Sequence, residues 1–299
     1  MKLDPKHLTH LSEIVEAGSF QSAADRLGLT QPALSRNMQK LEERLGAPIF
    51  QRDGRRSTPN SLGLELARSG LAIKIAQEQA SNLADLVTTG SAGQLRIGAP
   101  PIIAGKFLTD SISTFIVDNP SCRIELRTGF VIDLHRMLER GQIDIVIGPQ
   151  SLSDPAVDLD FSLLVDDRVG IMCSSEHPLA SKREISVDDL STQKWLIHSR
   201  NSLLRQQTEA AMIALGIQEM HVLCESDSIR SSLEITSTTD LLTFMPVAPT
   251  NPYLGDELRF LNFDHPQFHR PIGIIRRKST PLSPVAVSFL KKLKSAWSE

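Results

Sequence analysis

Gln31, Ser35, Arg36 and Gln39 recur three and four positions apart in one short stretch, and Arg52, Arg55 and Arg56 follow closely. Amide and guanidinium groups are the side chains that pair with adenine and guanine edges in a DNA major groove. Clustered arginines neutralise phosphates and make binding salt-dependent. Thr30 is placed to cap a helix, and Pro32 is tolerated in a first turn, where no intrahelical N–H partner is lost. Thr30, Gln31, Pro32, Ser35, Arg36 and Gln39 are therefore candidates for base contact, and Arg52, Arg55 and Arg56 for the sugar-phosphate backbone.

The elements that would position these groups are legible around them. Gln21 to Leu27 reads as a short helix with Ala23, Ala24 and Leu27 inward, stopped by Gly28, with Leu29 plugging the junction. From Thr30 a second helix buries Leu34, Met38, Leu41 and Leu45 and leaves Ser35, Arg36, Gln39, Lys40 and Glu43 outside. Two helices joined by a tight glycine turn fit a helix-turn-helix. Gln51 to Asn60 then reads as a hairpin turning at Asp53-Gly54. Charge supports the placement through segregation more than amount. Residues 1–60 hold nine Lys or Arg against seven Asp or Glu, whereas residues 36–56 hold six against three.

Gly18-Ser19-Phe20, Ala23-Ala24, Leu27, Thr30 to Ser35, Leu41-Glu42, Leu45-Gly46, Phe50, Arg52, Arg55-Arg56 and Gly63 together resemble the winged helix-turn-helix of the LysR-type transcriptional regulators. Pro59-Asn60 departs from that family's usual Leu-Thr, with Asn60 still able to cap the next helix. Leu62, Leu66, Ser69, Ile73, Ala76, Ala80, Leu83 and Val87 then repeat in steps of three and four up to the Gly90–Gly93 break, all but Ser69 apolar. This heptad seam predicts a rod of roughly 40 Å that is too narrow to bury its own stripe. Pairing with the same helix of a second copy would bury it, as the resemblance implies; packing on the chain's own larger domain is the open alternative.

From Gln94 the pattern switches to alternating strands and helices, which predicts a mostly parallel sheet flanked by helices. GQLRIG at 93–98, Arg140 to Asp144, His177-Pro178-Leu179 and Ser283-Pro284 resemble the effector-binding domain of the same family. The fold implied is an α/β domain of two periplasmic-binding-protein-like lobes, preceded by the winged helix-turn-helix and a long linker helix. The boundaries expected are 1–59 for the reader, 60–90 for the linker and 91–299 for the effector domain. Within the last, lobe I would take 91–161 and 267–299, and lobe II 162–266.

A small molecule in such a fold sits beyond the carboxyl ends of the strands. Candidates are Pro100, Pro101, Ile102, Thr128, Gly129 and Gly148 from lobe I, with His198, Ser199, Arg200, Phe244 and Pro246 from lobe II. The family commonly has Ser or Thr after the first strand of lobe I, where Pro100-Pro101 removes two backbone donors and the hydroxyl. An organic acid or a partly apolar metabolite fits such a site, without the sequence choosing between them.

The whole-chain pattern implies an effector-modulated, sequence-specific DNA-binding regulator whose partners are double-stranded DNA, a second copy in a dimer or tetramer, and RNA polymerase. The competing readings are a cytoplasmic small-molecule-binding module and an enzyme carrying an accessory helical domain. The nucleophile elbow, phosphate loop and HExxH helix that would favour an enzyme do not occur. The eight histidines form no metal-ligand spacing, so neither metal nor cofactor is expected. Cys122, Cys173 and Cys224 read as buried reduced thiols. With no secretory apolar run and no membrane-length apolar stretch, a cytoplasmic location is expected.

Overall fold

The structure, a computed structural model, describes residues 2–53, 56–89, 93–150, 159–278 and 280–297; for residues 52, 53, 56, 79, 82, 83 and 85–89 it describes the backbone alone. Two compact units emerge, Met1–Gly93 with Ser279–Ser283, and Gln94–Lys278 with Pro284–Glu299.

The first unit runs α1 (Pro5–Ala17), α2 (Phe20–Leu27), α3 (Gln31–Leu45), β1 (Phe50–Asp53), β2 (Arg56–Pro59) and α4 (Ser61–Thr89). Side-chain caps set the helix starts: Asp4 accepts from the Lys6 N–H, Ser19 from Ser22 and Thr30 from Ala33. Gly28 closes α2 at φ 64°, a left-handed conformation that a side chain would resist, and this turn fixes the angle between α2 and α3. Leu8, Leu11, Ile14, Ala23, Ala24, Leu34, Met38, Leu41 and Ile49 form the buried core, with Leu45 at its margin. The hairpin strands pair from Phe50 with Pro59 to Asp53 with Arg56, and the turn expected at Asp53-Gly54 falls on Gly54, which lies outside the described residues.

Asn60 caps α4 as expected, its Oδ1 accepting from Gly63 N–H at 2.9 Å. The helix lies against the head through Gly63, Ala67, Gly70 and Lys74, spaced four, three and four apart. Ala67 is in the core, and Lys74 Nζ reaches Glu13 of α1 at 2.8 Å. Glu13 also takes Arg26 of α2 at 3.3 Å, so one buried carboxylate ties three helices.

The second unit contains β3 (Gln94–Ala99), α5 (Lys106–Asp118), β4 (Arg123–Thr128), α6 (Val131–Glu139), β5 (Ile145–Pro149) and β6 (Leu159–Val165). It continues through β7 (Val169–Ser174), α7 (Val187–Ser191), β8 (Lys194–Ile197), α8 (Leu203–Ala214), β9 (His221–Glu225) and α9 (Ile229–Ser237). It ends with β10 (Leu242–Pro246), α10 (Val247–Thr250), β11 (Leu258–Phe260), β12 (Ile272–Arg277) and α11 (Pro284–Trp297). One sheet has the order β4-β3-β5-β12-β6 and the other β11-β7-β10-β8-β9.

Both sheets are mixed, which corrects the expectation of a mostly parallel one. β12 runs antiparallel to β5 and β6, and β7 antiparallel to β10 and β11. The reason is topological: the chain leaves the first sheet after β6 and re-enters through β12, so each sheet closes with strands laid in the opposite sense. β6 pairs with β12 as far as Val165↔Ile272, which moves the lobe border past 161/162 to the segment after Val165. The two connections between lobes run side by side, bridged at Arg168 and His269, with Arg270 N–H donating to Asp167 O at 2.7 Å.

The residue pattern of the sequence also locks lobe I. Arg96 meets Asp144 through its backbone N–H and its guanidinium at 2.8 Å each. In lobe II, Trp195 stacks on Phe244 at 4.7 Å inside the core. Of the three free cysteines, all read from the sequence as buried, Cys173 alone is fully buried. No helix among the described residues is long and apolar enough to cross a membrane.

Candidate functional site

The outer face of α3 carries the groove candidates together. Thr30, Pro32, Arg36 and Gln39 are exposed, and Gln31 and Ser35 half-buried at the helix start. Lys40 joins them one turn on. Neither Arg36 nor Lys40 has a carboxylate within ion-pair distance among the described residues, whereas Arg26 on α2 is held by Glu13 and Glu16. The face is therefore an exposed patch of uncompensated cations and amides, at a helix N-terminus whose free N–H groups favour an anion.

Beneath it, His10 meets Asn37 of α3 at 3.1 Å through Nδ1. Burial, reinforced by Lys6 and His7, pushes the His10 pKa down, so this ring is a packing group. Glu42 fixes the wing to the helix by accepting from Ile49 N–H at 2.8 Å and Phe50 N–H at 3.4 Å. Of the wing arginines, Arg52 and Arg56 are described as backbone only, on paired strands, and Arg55 lies outside the described residues.

The seam residues divide. Leu66 and Ile73 are half-buried and pack against the head's own core, while Leu62, Ala76 and Ala80 are exposed. Side chains of Leu83 and Val87 lie outside the described set. At about 100° per residue, the seam and the Gly63-Ala67-Gly70-Lys74 face stand roughly 120° apart on α4, with Leu66 and Ile73 on the border.

In the second unit a cleft of about 80 Å³ opens between the lobes at the strand ends. Pro100, Pro101, Ile102, Gly129, His198 and Pro246 line it, as expected from sequence. The other five candidates do not. Thr128 is exposed outside, and Gly148 is buried in the sheet, with Pro149 facing the cleft in its place. Ser199 turns its N–H onto Asp227 at 3.1 Å. Arg200 lines a separate groove with Arg205 and His221. Phe244 is committed to the Trp195 stack, and its neighbour Met245 reaches the cleft.

Sequence reasoning missed the cleft's charged groups, Asp227 and Arg270. Asp227 follows the carboxyl end of β9, where the strand-end rule points. Arg270 is just before β12, on a connection between lobes, and no local pattern marks it. Its guanidinium is buried; Nη1 donates to Gln207 Oε1 at 2.5 Å, and no carboxylate lies within ion-pair distance among the described residues. Burial pushes its pKa down to about 10, against the pull of Asp167, so it remains a cation at neutral pH. His198 is buried with Nε2 lacking a hydrogen-bond partner among the described residues. Burial lowers its pKa despite the Phe244 backbone and Asp227, keeping the ring neutral. α6 and α8 begin at the cleft, at Phe130 and Ser202, without side-chain caps. Tyr253 of lobe II accepts from Lys106 N–H at the start of α5 at 2.6 Å, a contact between the lobes.

Two family descriptions match the chain. "Bacterial regulatory helix-turn-helix protein, lysR family" covers residues 5–64, and "LysR substrate binding domain" covers residues 88–298. Among curated proteins, the transcriptional regulator GbpR of Azospirillum brasilense is 28% identical over 298 residues, covering 99% of this chain and 87% of that one. The uncharacterized regulator YbhD of Escherichia coli K12 is 27% identical, covering 96% and 89%. Among solved structures, a cysteine-to-aspartate variant of full-length OxyR from Pseudomonas aeruginosa has a TM-score of 0.67 at 21% identity, covering 100% and 96%. Full-length CbnR in complex with its target DNA has a TM-score of 0.58 at 16% identity, covering 98% and 100%.

Proposed function

The chain belongs to the LysR family of DNA-binding transcriptional regulators, with a helix-turn-helix reader and an effector-binding substrate domain, and we propose how its residues divide that work. α3 enters a major groove, with Gln31, Ser35, Arg36 and Gln39 at base edges, while Arg52, Arg55 and Arg56 of the wing hold phosphates. The observation that carries this is the charge of Arg36 and Lys40 on an exposed helix face with no carboxylate in ion-pair distance among the described residues, whereas Arg26 and Lys74 of the same head are held by Glu13 and Glu16. Two copies join through the exposed part of the α4 seam and so present two recognition helices to a pseudo-palindromic operator; two such dimers make a tetramer. A small effector in the interlobe cleft, an organic acid by the charge of Arg270, binds one arrangement better than another and shifts their populations. The regulator works in the cytoplasm, and RNA polymerase reads the result.

Competition binding against operator variants tests the groove assignment. Arg36→Ala is expected to cost about 1–3 kcal/mol at its cognate base pair and to relax preference there. Arg52→Ala should weaken all sequences alike and reduce the salt slope by about 0.9. Equal, sequence-independent losses for both would remove Arg36 from the groove.

For the seam, Ala76→Asp with Ala80→Asp places two carboxylates on exposed positions that leave the head's core untouched. The dimer fraction in sedimentation equilibrium should fall, and operator affinity with it by about tenfold or more. A dimer of undiminished strength would move the interface elsewhere.

A further inference from the structure

The cleft is lined by three polar groups, Arg270, His198 and Asp227, and their chemistry narrows what fits. Arg270 is a desolvated cation whose side-chain partner among the described residues is the neutral amide of Gln207. A buried charge left without a counter-charge is costly, so the site is built for an anion that arrives from outside. His198, with 7% of its surface exposed, lines the same cavity, and its Nε2 has no hydrogen-bond partner among the described residues. Asp227 lines it as well, so the three groups bound one small cavity.

We propose that the cleft takes a compact hydroxy monocarboxylate, its carboxylate on Arg270 and its hydroxyl between His198 Nε2 and the Asp227 carboxylate. This rests on the reading of the cleft as the effector site. The one hydroxyl proton goes to Asp227, an acceptor only, while the hydroxyl oxygen accepts from His198 in the tautomer that carries its proton on Nε2. A second carboxylate would face Asp227 and be repelled. An ammonium would bring three donors and a desolvation cost into walls made mainly of Pro100, Ile102, Phe130, Ile229 and Met245. The cavity of about 80 Å³ requires a short body, and Pro100-Pro101, with no backbone donors of its own, leaves the anion to Arg270.

The test is thermal melting and calorimetric titration of the full-length chain with 2-hydroxybutyrate, 3-hydroxybutyrate and 4-hydroxybenzoate. Butyrate, 2-aminobutyrate and succinate serve as comparators. At least one hydroxy acid should raise the melting temperature and bind at least tenfold more tightly than every comparator. Arg270→Gln should weaken that acid about 10- to 100-fold while raising the melting temperature of the ligand-free protein, because it removes a buried cation; a merely structural arginine would lower it. His198→Phe should erase the advantage of 3-hydroxybutyrate over butyrate. Preference for succinate or 2-aminobutyrate, no response to any hydroxy acid, or unchanged affinity in Arg270→Gln would each overturn the proposal. Ile229→Trp, which fills the cleft, separates the two levels. If glycerol or glucose shifts melting in wild type but not in Ile229→Trp, the effector site stands and the hydroxy-acid class falls.

Discussion

Gly70→Val is expected to lose about 3 kcal/mol or more of head stability and with it operator binding, although valine is the better helix former. A Cβ at Gly70 would stand 1.9 Å from Leu8 O and 2.4 Å from Leu8 C, both backbone atoms of α1 that cannot rotate away. Helix propensity favours replacing an interior glycine by at most about 1 kcal/mol. Overpacking against a flexible side chain costs about 1–3 kcal/mol, and a backbone wall belongs at or beyond the upper end. Relief would require α4 to move off α1, which would strip Ala67 from the core and stretch the Lys74–Glu13 pair. Gly70→Ala should lose less, about 2 kcal/mol net. Gly46→Ala, at φ 68° with nothing within 4 Å of the added carbon, should lose only about 1 kcal/mol. Urea unfolding of the three variants orders them; Gly70→Val as stable as wild type would mean that the two helices do not approach this closely.

Gly70 also shows where the sequence was readable and where it was not. The head's helices were legible because their signals are local: Ser19 and Thr30 cap, Gly28 stops, and Leu34, Met38 and Leu41 repeat on one face. The helix α4 was legible as a rod, but its large residues drew attention to a single seam. Gly63, Ala67 and Gly70 repeat just as regularly on another face, and small residues at that spacing permit close helix approach without adding apolar weight to a pattern. Leu66 and Ile73, on the border, serve the head's core first, so they are poor probes of dimerisation. In the second unit, β3, β4 and β9 announced themselves by alternation. β7 and β12 run against the expected direction because the chain crosses between lobes twice, a property of topology that no window of residues contains. The cleft followed the same divide. Strand ends located Pro100, Gly129 and His198, whereas Phe244 was misplaced by one residue of strand alternation, and Arg270 belongs to a connection brought in from far along the chain.

Glu13→Ala is expected to destabilise the head by about 2 kcal/mol at neutral pH, in a pH-dependent way that distinguishes charge from packing. Breaking a buried ion pair costs about 3–5 kcal/mol; that range is reduced here because the side chains of Lys74 and Arg26 remain 38% and 53% exposed and water can resolvate them. Burial alone would push the Glu13 carboxyl up, but the hydrogen bond and charge of Lys74, then those of Arg26, hold it below its ordinary 4.5. A carboxyl with a depressed folded-state pKa contributes stability that is fully present above its unfolded value and is lost as pH falls through the folded one. The gap between wild type and Glu13→Gln should therefore be constant near neutrality, narrow below about pH 4.5, and vanish in stronger acid. Lys74 behaves in the mirror sense. Burial pulls it down, the hydrogen bond and charge of Glu13 with the charges of Glu16 and Glu78 more than compensate, and its pKa stands above 10.5. Its contribution is present below that value and is lost as pH rises further. Glu13→Gln combined with Lys74→Met removes both charges together, and should recover part of the loss seen in Glu13→Gln alone, since the remaining partner is no longer left unpaired. Denaturant unfolding across the pH range reads all three variants. A gap that persists undiminished in acid would assign Glu13 to packing and detach the linker helix from electrostatic control by the head.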